Sequence, residues 1–135
     1  MSFQWLQLRI IEEQERRARE TQILARLPGA LDELRESLTN CVETYTGSFG
    51  AETAAMSEGN GGLTVAAEGE QAEVVVVPEL PGFDIRNDGS SFEVRVGVLP
   101  GDKLFYLDVS ADKYLSMDEL TRKILDRVLF PKLKE

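Results

Sequence analysis

The residues best suited to chemistry in this chain are acidic and basic side chains that alternate with apolar residues along three neighbouring segments. Their spacing predicts that they share one face of a β-sheet, and they are Asp84, Arg86, Glu93, Arg95, Tyr106 and Asp108. Adjacent carboxylates can bind a hard cation, or one of them can keep its proton and act as a general acid or base. The simpler interpretation is a solvated sheet face on which the arginines balance the acids.

A second chemical pattern begins at Asp108. Residues 108–119 read DVSADKYLSMDE, with side-chain oxygens at positions 1, 3, 5, 9 and 12 and an apolar residue at position 8. This spacing resembles the twelve-residue calcium loop of EF-hand proteins, and the resemblance implies metal ligands at Asp108, Ser110, Asp112 and Glu119. Lys113 replaces the expected glycine, and a predicted strand precedes the loop instead of a helix. We therefore expect calcium to bind no tighter than about millimolar.

The composition excludes several kinds of site. The 135 residues contain no histidine, so histidine triads, histidine-ligated zinc and imidazole acid–base chemistry are excluded. The formal net charge is −9, and residues 36–102 contain twelve acidic and only two basic residues. Binding a phosphate backbone requires a cluster of cations, and this charge distribution is the reverse. We therefore expect no nucleic-acid partner. We also expect no cofactor, since no glycine-rich phosphate-binding loop is found.

Five segments have the composition of β-strands, separated by turn-forming residues, and we predict four or five strands in an antiparallel meander. They are residues 63–67, 72–77, 83–86, 92–98 and 104–109.

Turn chemistry predicts how the last three strands pair. An Asp-Gly pair suits a two-residue hairpin turn that places Ile85 opposite Phe92. A Pro-Gly pair suits the next tight turn and places Val96 opposite Phe105. Together these registers create the acidic row, and a shift of one residue in either would break it.

The first 27 residues predict a long helix that begins after Ser2. Residues 12–22, here called the shaft, contain Ala18 as their only apolar residue and carry Glu and Arg at ion-pair spacing, so they cannot lie against a core. An apolar tip precedes the shaft, made of Phe3, Trp5, Leu6, Ile10 and Ile11. If the helix projects, the tip is a contact site for a second copy. If the helix folds back, the tip packs on its own domain.

A second helix is predicted over residues 28–45, because Pro28 and Gly29 should break or kink the first one. Apolar residues recur in it at intervals of three and four, which is typical of a core face or a coiled-coil seam. Cys41 lies on this stripe, and we expect it to pack as a small apolar side chain. Residues 46–62 are rich in small and polar residues and predict a flexible connection.

The closing helix has the clearest local signals. Ser116 and Glu119 form a capping box, and Pro131 ends the helix. Its predicted buried stripe is Leu120, Ile124, Leu125 and Val128.

The predicted fold is α+β, with two N-terminal helices, an antiparallel meander and one C-terminal helix. Residues 1–27 would form a projecting helix, the first and longer of the two, and residues 28–135 a single domain.

Two functions from different classes fit these patterns. One is a non-enzymatic interaction or assembly module that forms a homo-oligomer through the tip and presents its acidic middle to a protein partner. The other is a small-ligand or metal-binding domain that uses the outer face of the sheet, and a weak hydrolase is one form of this hypothesis. The missing active-site motif favours the first. Without a long apolar segment or a signal-peptide core, we expect no membrane association and a cytoplasmic location.

Overall fold

A computed structural model describes residues 3–59, 62–67, 69–87, 90–101 and 103–133. Two helices flank seven strands, and their bounds are α1 Gln4–Phe49, β1 Ala54–Gly59, β2 Gly62–Ala67, β3 Glu70–Val77, β4 Gly82–Asn87, β5 Ser90–Leu99, β6 Lys103–Asp108, β7 Lys113–Leu115 and α2 Met117–Leu129. Each strand pairs antiparallel with its neighbour in the chain, so the sheet is a seven-stranded meander. The α+β class, the long N-terminal helix, the antiparallel sheet and the closing helix are thereby confirmed.

The predicted break at Pro28 is wrong, because α1 continues through this proline. The described residues therefore contain two helices instead of three. A proline inside a helix lacks the N–H that bonds to the carbonyl four residues earlier, at a cost of about 3 kcal/mol or more. Leu27 and Ala30, on either side of Pro28, are both buried, and this packing offsets the local cost. Ser2, the predicted N-cap, lies outside the described residues.

The predicted number of strands is too low by at least two. Strand β1 occupies part of the segment that predicted a flexible connection, and β7 occupies part of the calcium-like pattern. Ala54, Ala55 and Gly59 give β1 a weak strand signal, because small side chains add little packing on a pleated surface. The strand is held by its ladder with β2 and by burial of Ala54.

The core lies between one face of the sheet, here called the inner face, and the two helices. Its largest fully buried apolar side chains are Leu34, Leu38, Leu63, Val65, Val74, Phe83, Ile85, Val94, Leu120, Ile124 and Val128. All four residues of the predicted α2 stripe are buried. The capping box is also confirmed, since the Glu119 N–H donates to Ser116 Oγ and the Ser116 N–H donates to Glu119 Oε1, both at 3.1 Å.

The prediction for Cys41 is wrong, because this residue is exposed and Val42 is buried beside it. The buried positions of α1 are Leu27, Ala30, Leu34, Leu38 and Val42. They recur mostly every four residues, whereas the predicted stripe alternated three and four. An α-helix drifts against such an alternating repeat, so the buried face has moved past Cys41 by this point.

Candidate functional site

The first half of the predicted acidic row forms as expected. Strands β4 and β5 pair in the predicted register, with Ile85 opposite Phe92 and Asp84 opposite Glu93. Arg86 Nε donates to Asp84 Oδ2 at 2.8 Å, which balances one of the two carboxylates. This part of the outer face is polar and partly exposed to solvent.

The second predicted register is wrong by one residue. Val96 lies opposite Tyr106 instead of Phe105. The connection from β5 to β6 holds three residues, not two, and Gly101 within it has a left-handed φ of +88°. A three-residue loop with a left-handed residue is a common hairpin connection, and its extra residue reverses the faces of the following strand.

As a consequence, the structure does not bring the predicted site residues together. Asp84, Arg86, Glu93 and Arg95 lie on the outer face, whereas Tyr106 and Asp108 point to the inner face and are buried. The Tyr106 hydroxyl donates to Glu33 Oε2 on α1 at 2.9 Å. Burial, together with this carboxylate, raises the pKa of Tyr106 well above its ordinary value.

The same shift turns Phe105 to the outer face. Its ring covers Gly97, where an added Cβ would lie 2.0 Å from the ring. Tyr114 of β7 packs edge-on against Phe105, with ring centroids 5.4 Å apart. This part of the outer face is therefore aromatic and closely packed.

Asp108 is the one charged residue that is buried in the described part of the chain. Lys123 of α2 donates to Asp108 Oδ2, and the Ala111 N–H donates to Oδ1 at 3.3 Å. Burial disfavours the charged carboxylate, but the Lys123 hydrogen bond and the nearby backbone N–H groups outweigh it and lower the pKa of Asp108 below its ordinary value of 3.8. The Lys123 ammonium also lies 4.5 Å from the centroid of the Phe92 ring, as in a cation–π contact.

Sequence reasoning missed Lys123. The available signal was its position immediately before the buried Ile124, at the edge of the apolar stripe of α2. This position identifies Lys123 as the partner of Asp108 only once Asp108 is known to face the core.

The calcium-like segment is a β-hairpin followed by a capped helix. Asp108 pairs with Lys113 across the hairpin, and Asp112 in the turn has a left-handed φ of 50°. Glu119 accepts the N-cap hydrogen bond and lies 3.7 Å from the Lys113 ammonium. No group of three or more acidic or cysteine side chains within the described ranges is arranged to hold a metal ion.

Binding of calcium no tighter than about millimolar therefore stays our prediction. The physical reason is that the carboxylate of Asp108 is engaged by Lys123 and by Ala111, so calcium would have to displace both. Calorimetric titration of the metal-free protein with Ca²⁺ measures the constant, and micromolar binding that disappears in Asp108→Ala would contradict the prediction.

A cleft of about 620 Å³ opens beside the Asp108–Lys123 pair, between α2, the β6–β7 turn and the adjoining ends of β4 and β5. Its volume lies in the range of small-ligand sites. The apolar side chains in its wall include Ile85, Phe92 and Ile124, and the polar ones include Ser90, Ser110, Lys113, Glu119, Arg122, Lys123, Asp126 and Arg127. Three of the four residues in the calcium-like pattern, Asp108, Ser110 and Glu119, thus line one cleft.

The predicted interface residues lie at the start of α1 and are all exposed. Phe3, Trp5, Leu6, Ile10 and Ile11 have exposed fractions between 41% and 66%, and the neighbouring Leu8 has 61%. Behind them, the shaft carries ion pairs between residues of α1 itself. Arg16 Nη2 lies 2.6 Å from Glu13 Oε1, and Arg16 Nη1 lies 2.7 Å from Glu20 Oε2.

No protein-family model, curated protein or solved structure matches this chain. Among the residues that the structure describes, neither helix combines the length and the apolar character needed to cross a bilayer.

Proposed function

We propose that the protein is a non-enzymatic assembly module that forms a homo-oligomer through the tip of α1. The main observation in its favour is that six large apolar side chains within residues 3–11 are exposed, namely the five tip residues and Leu8. At 1.5 Å per residue they occupy about 13 Å of helix. Single exposed apolar residues are ordinary on protein surfaces, but a contiguous group of this kind marks a contact site.

The exposure of the shaft favours a tip that contacts a partner other than the domain's own core. Apart from Glu13 and Glu20, every residue of α1 between the tip and Gln22 is exposed. The helix is continuous through this stretch and contains neither glycine nor proline there, so nothing lets it bend the tip back onto the domain. A second copy presents the same apolar tip, and two tips can bury each other.

The acidic middle of the chain remains the surface we propose for a separate protein partner, and the cytoplasm remains the compartment we predict. Residues 36–102 hold most of the excess negative charge. Such a surface favours partners with basic patches, mainly by speeding their approach.

Paired substitution of Trp5→Ser and Ile10→Ser should convert the oligomer to a monomer. Burial of one large apolar side chain contributes about 1.5 to 3 kcal/mol, so loss of two contacts should weaken association at least about 100-fold. Light scattering after size exclusion, over a range of protein concentrations, measures the mass.

The matched control is Leu133→Ser, which removes a side chain that is 71% exposed but far from the tip in the chain. This variant should keep the mass of the unmodified protein. Far-UV circular dichroism checks that all three proteins are folded. An unmodified protein that stays monomeric at several hundred micromolar would refute self-association through the tip.

A further inference from the structure

We infer that the cleft beside α2 binds a small organic anion whose carboxylate or phosphate group is held by arginines of α2 and whose apolar part lies against Phe92. This site is independent of the tip, so its test does not depend on the proposed self-association. Three features of the cleft point to this ligand: its charges, the fixed positions of its hydrogen-bond donors and its apolar wall.

The charges leave a positive excess once the internal pairs are counted. Lys123 is paired with Asp108, and Lys113 lies beside Glu119, which also caps α2. Among the residues that the structure describes, the remaining charged groups in the wall are Arg122, Asp126 and Arg127. Two arginines face one carboxylate, in a chain whose net charge is −9. A ligand attracted to this cleft is therefore an anion and not a metal cation.

Two of the cationic side chains are held in place before any ligand arrives. Arg127 Nη1 donates to Ser90 Oγ at 3.0 Å, which ties α2 to the start of β5. Lys123 is held between Asp108 and the Phe92 ring. Binding then costs less side-chain entropy than it would with free surface cations. A guanidinium fork also suits the two oxygens of a carboxylate or phosphate better than a lone ammonium does.

The apolar wall of the cleft indicates that the part of the ligand beyond its anionic group is apolar. Ile85 and Ile124 are buried below the cleft, and Phe92 is half-buried within its wall. Ligand sites combine apolar walls with a few polar groups that set orientation. An inorganic anion would use only the arginines and a neutral ring only the wall, so a ring that carries an anion should bind best.

The test titrates the full-length protein with phenyl phosphate and follows amide and arginine side-chain signals by NMR. Inorganic phosphate and phenol are the matched probes for each half of the ligand. We expect saturable shifts at Ser90, Arg122 and Arg127, with inorganic phosphate at least about fivefold weaker and phenol weaker still. Arg122→Gln should weaken phenyl phosphate about tenfold, because it removes charge-assisted hydrogen bonds.

Arg17→Gln on the shaft is the control for a general loss of positive charge, and it should leave the affinity unchanged. Arg122 makes no hydrogen bond or ion pair to another described residue, so its replacement should not disturb the fold. A thermal melt checks this. The inference is overturned if phenyl phosphate and inorganic phosphate bind equally, if Arg122→Gln has no effect, or if the shifts map away from the cleft.

Discussion

Replacement of Lys123 by methionine should lower the free energy of unfolding by about 3 kcal/mol at pH 7. Methionine keeps an unbranched apolar stem against Phe92 but leaves the Asp108 carboxylate buried without its cation. Removal of one partner from a buried ion pair typically costs about 3 to 5 kcal/mol. We expect a loss at the lower end of this range, because the Lys123 side chain is 41% exposed and water can partly replace its ammonium.

The pH dependence separates this explanation from a loss of packing. In the unmodified protein the pKa of Asp108 lies below its ordinary value of 3.8, so the ion pair stabilises the fold above that pH and is lost as the pH falls below it. In Lys123→Met, burial without a cation should raise the pKa of Asp108 above the ordinary value. Protonation of Asp108 then removes the unpaired buried charge from the variant. The difference in the free energy of unfolding between the two proteins should therefore shrink as the pH falls from 7 to about 4.

Urea unfolding followed by far-UV circular dichroism measures both effects. Tryptophan fluorescence is a poor probe here, since Trp5 lies at the tip and would report on contacts of the tip instead of unfolding of the core. Lys113→Met is the matched control, because Lys113 and its neighbour Glu119 are both exposed and such pairs contribute about 0 to 1 kcal/mol. Equal losses in the two variants, or a loss in Lys123→Met that does not change with pH, would contradict the role given to Asp108.

Substitution of Gly82 by alanine should lower the free energy of unfolding by about 3 kcal/mol or more. This glycine begins β4, opposite Arg95. A Cβ at position 82 would lie 1.9 Å from the carbonyl oxygen of Val94 and 3.0 Å from the Arg95 Cα. Both are backbone atoms of β5, so the two strands would have to separate. Overpacking of a close contact costs about 1 to 3 kcal/mol and sometimes more, and a backbone neighbour gives way least.

The matched control is Gly59→Ala at the end of β1, where an added Cβ meets no atom within 4 Å. That variant should be neutral or slightly more stable, because alanine loses less backbone entropy on folding. Urea unfolding of the two variants decides the comparison. If Gly82→Ala unfolds at the same urea concentration as Gly59→Ala, strands β4 and β5 do not approach as closely as the structure has them.

The sequence by itself determined the features whose causes are local. The capping box at Ser116 needs only side chains three residues apart, and the register of β4 with β5 needs only a two-residue turn between alternating strands. The separation of an apolar tip from a polar shaft is likewise visible in the spacing along one helix. In each case the residues that decide the outcome are neighbours in the chain.

Only the tertiary structure decided where Asp108 points and what α1 does at Pro28. One extra residue in the β5–β6 loop moved Asp108 from the outer face to the core, and turn composition did not distinguish the two loop lengths. The buried carboxylate is tolerated because Lys123, on a different element, reaches it. The helix continues through Pro28 because residues distant in sequence bury its flanking positions. These outcomes depend on free energies of contact between distant segments, which no local pattern contains.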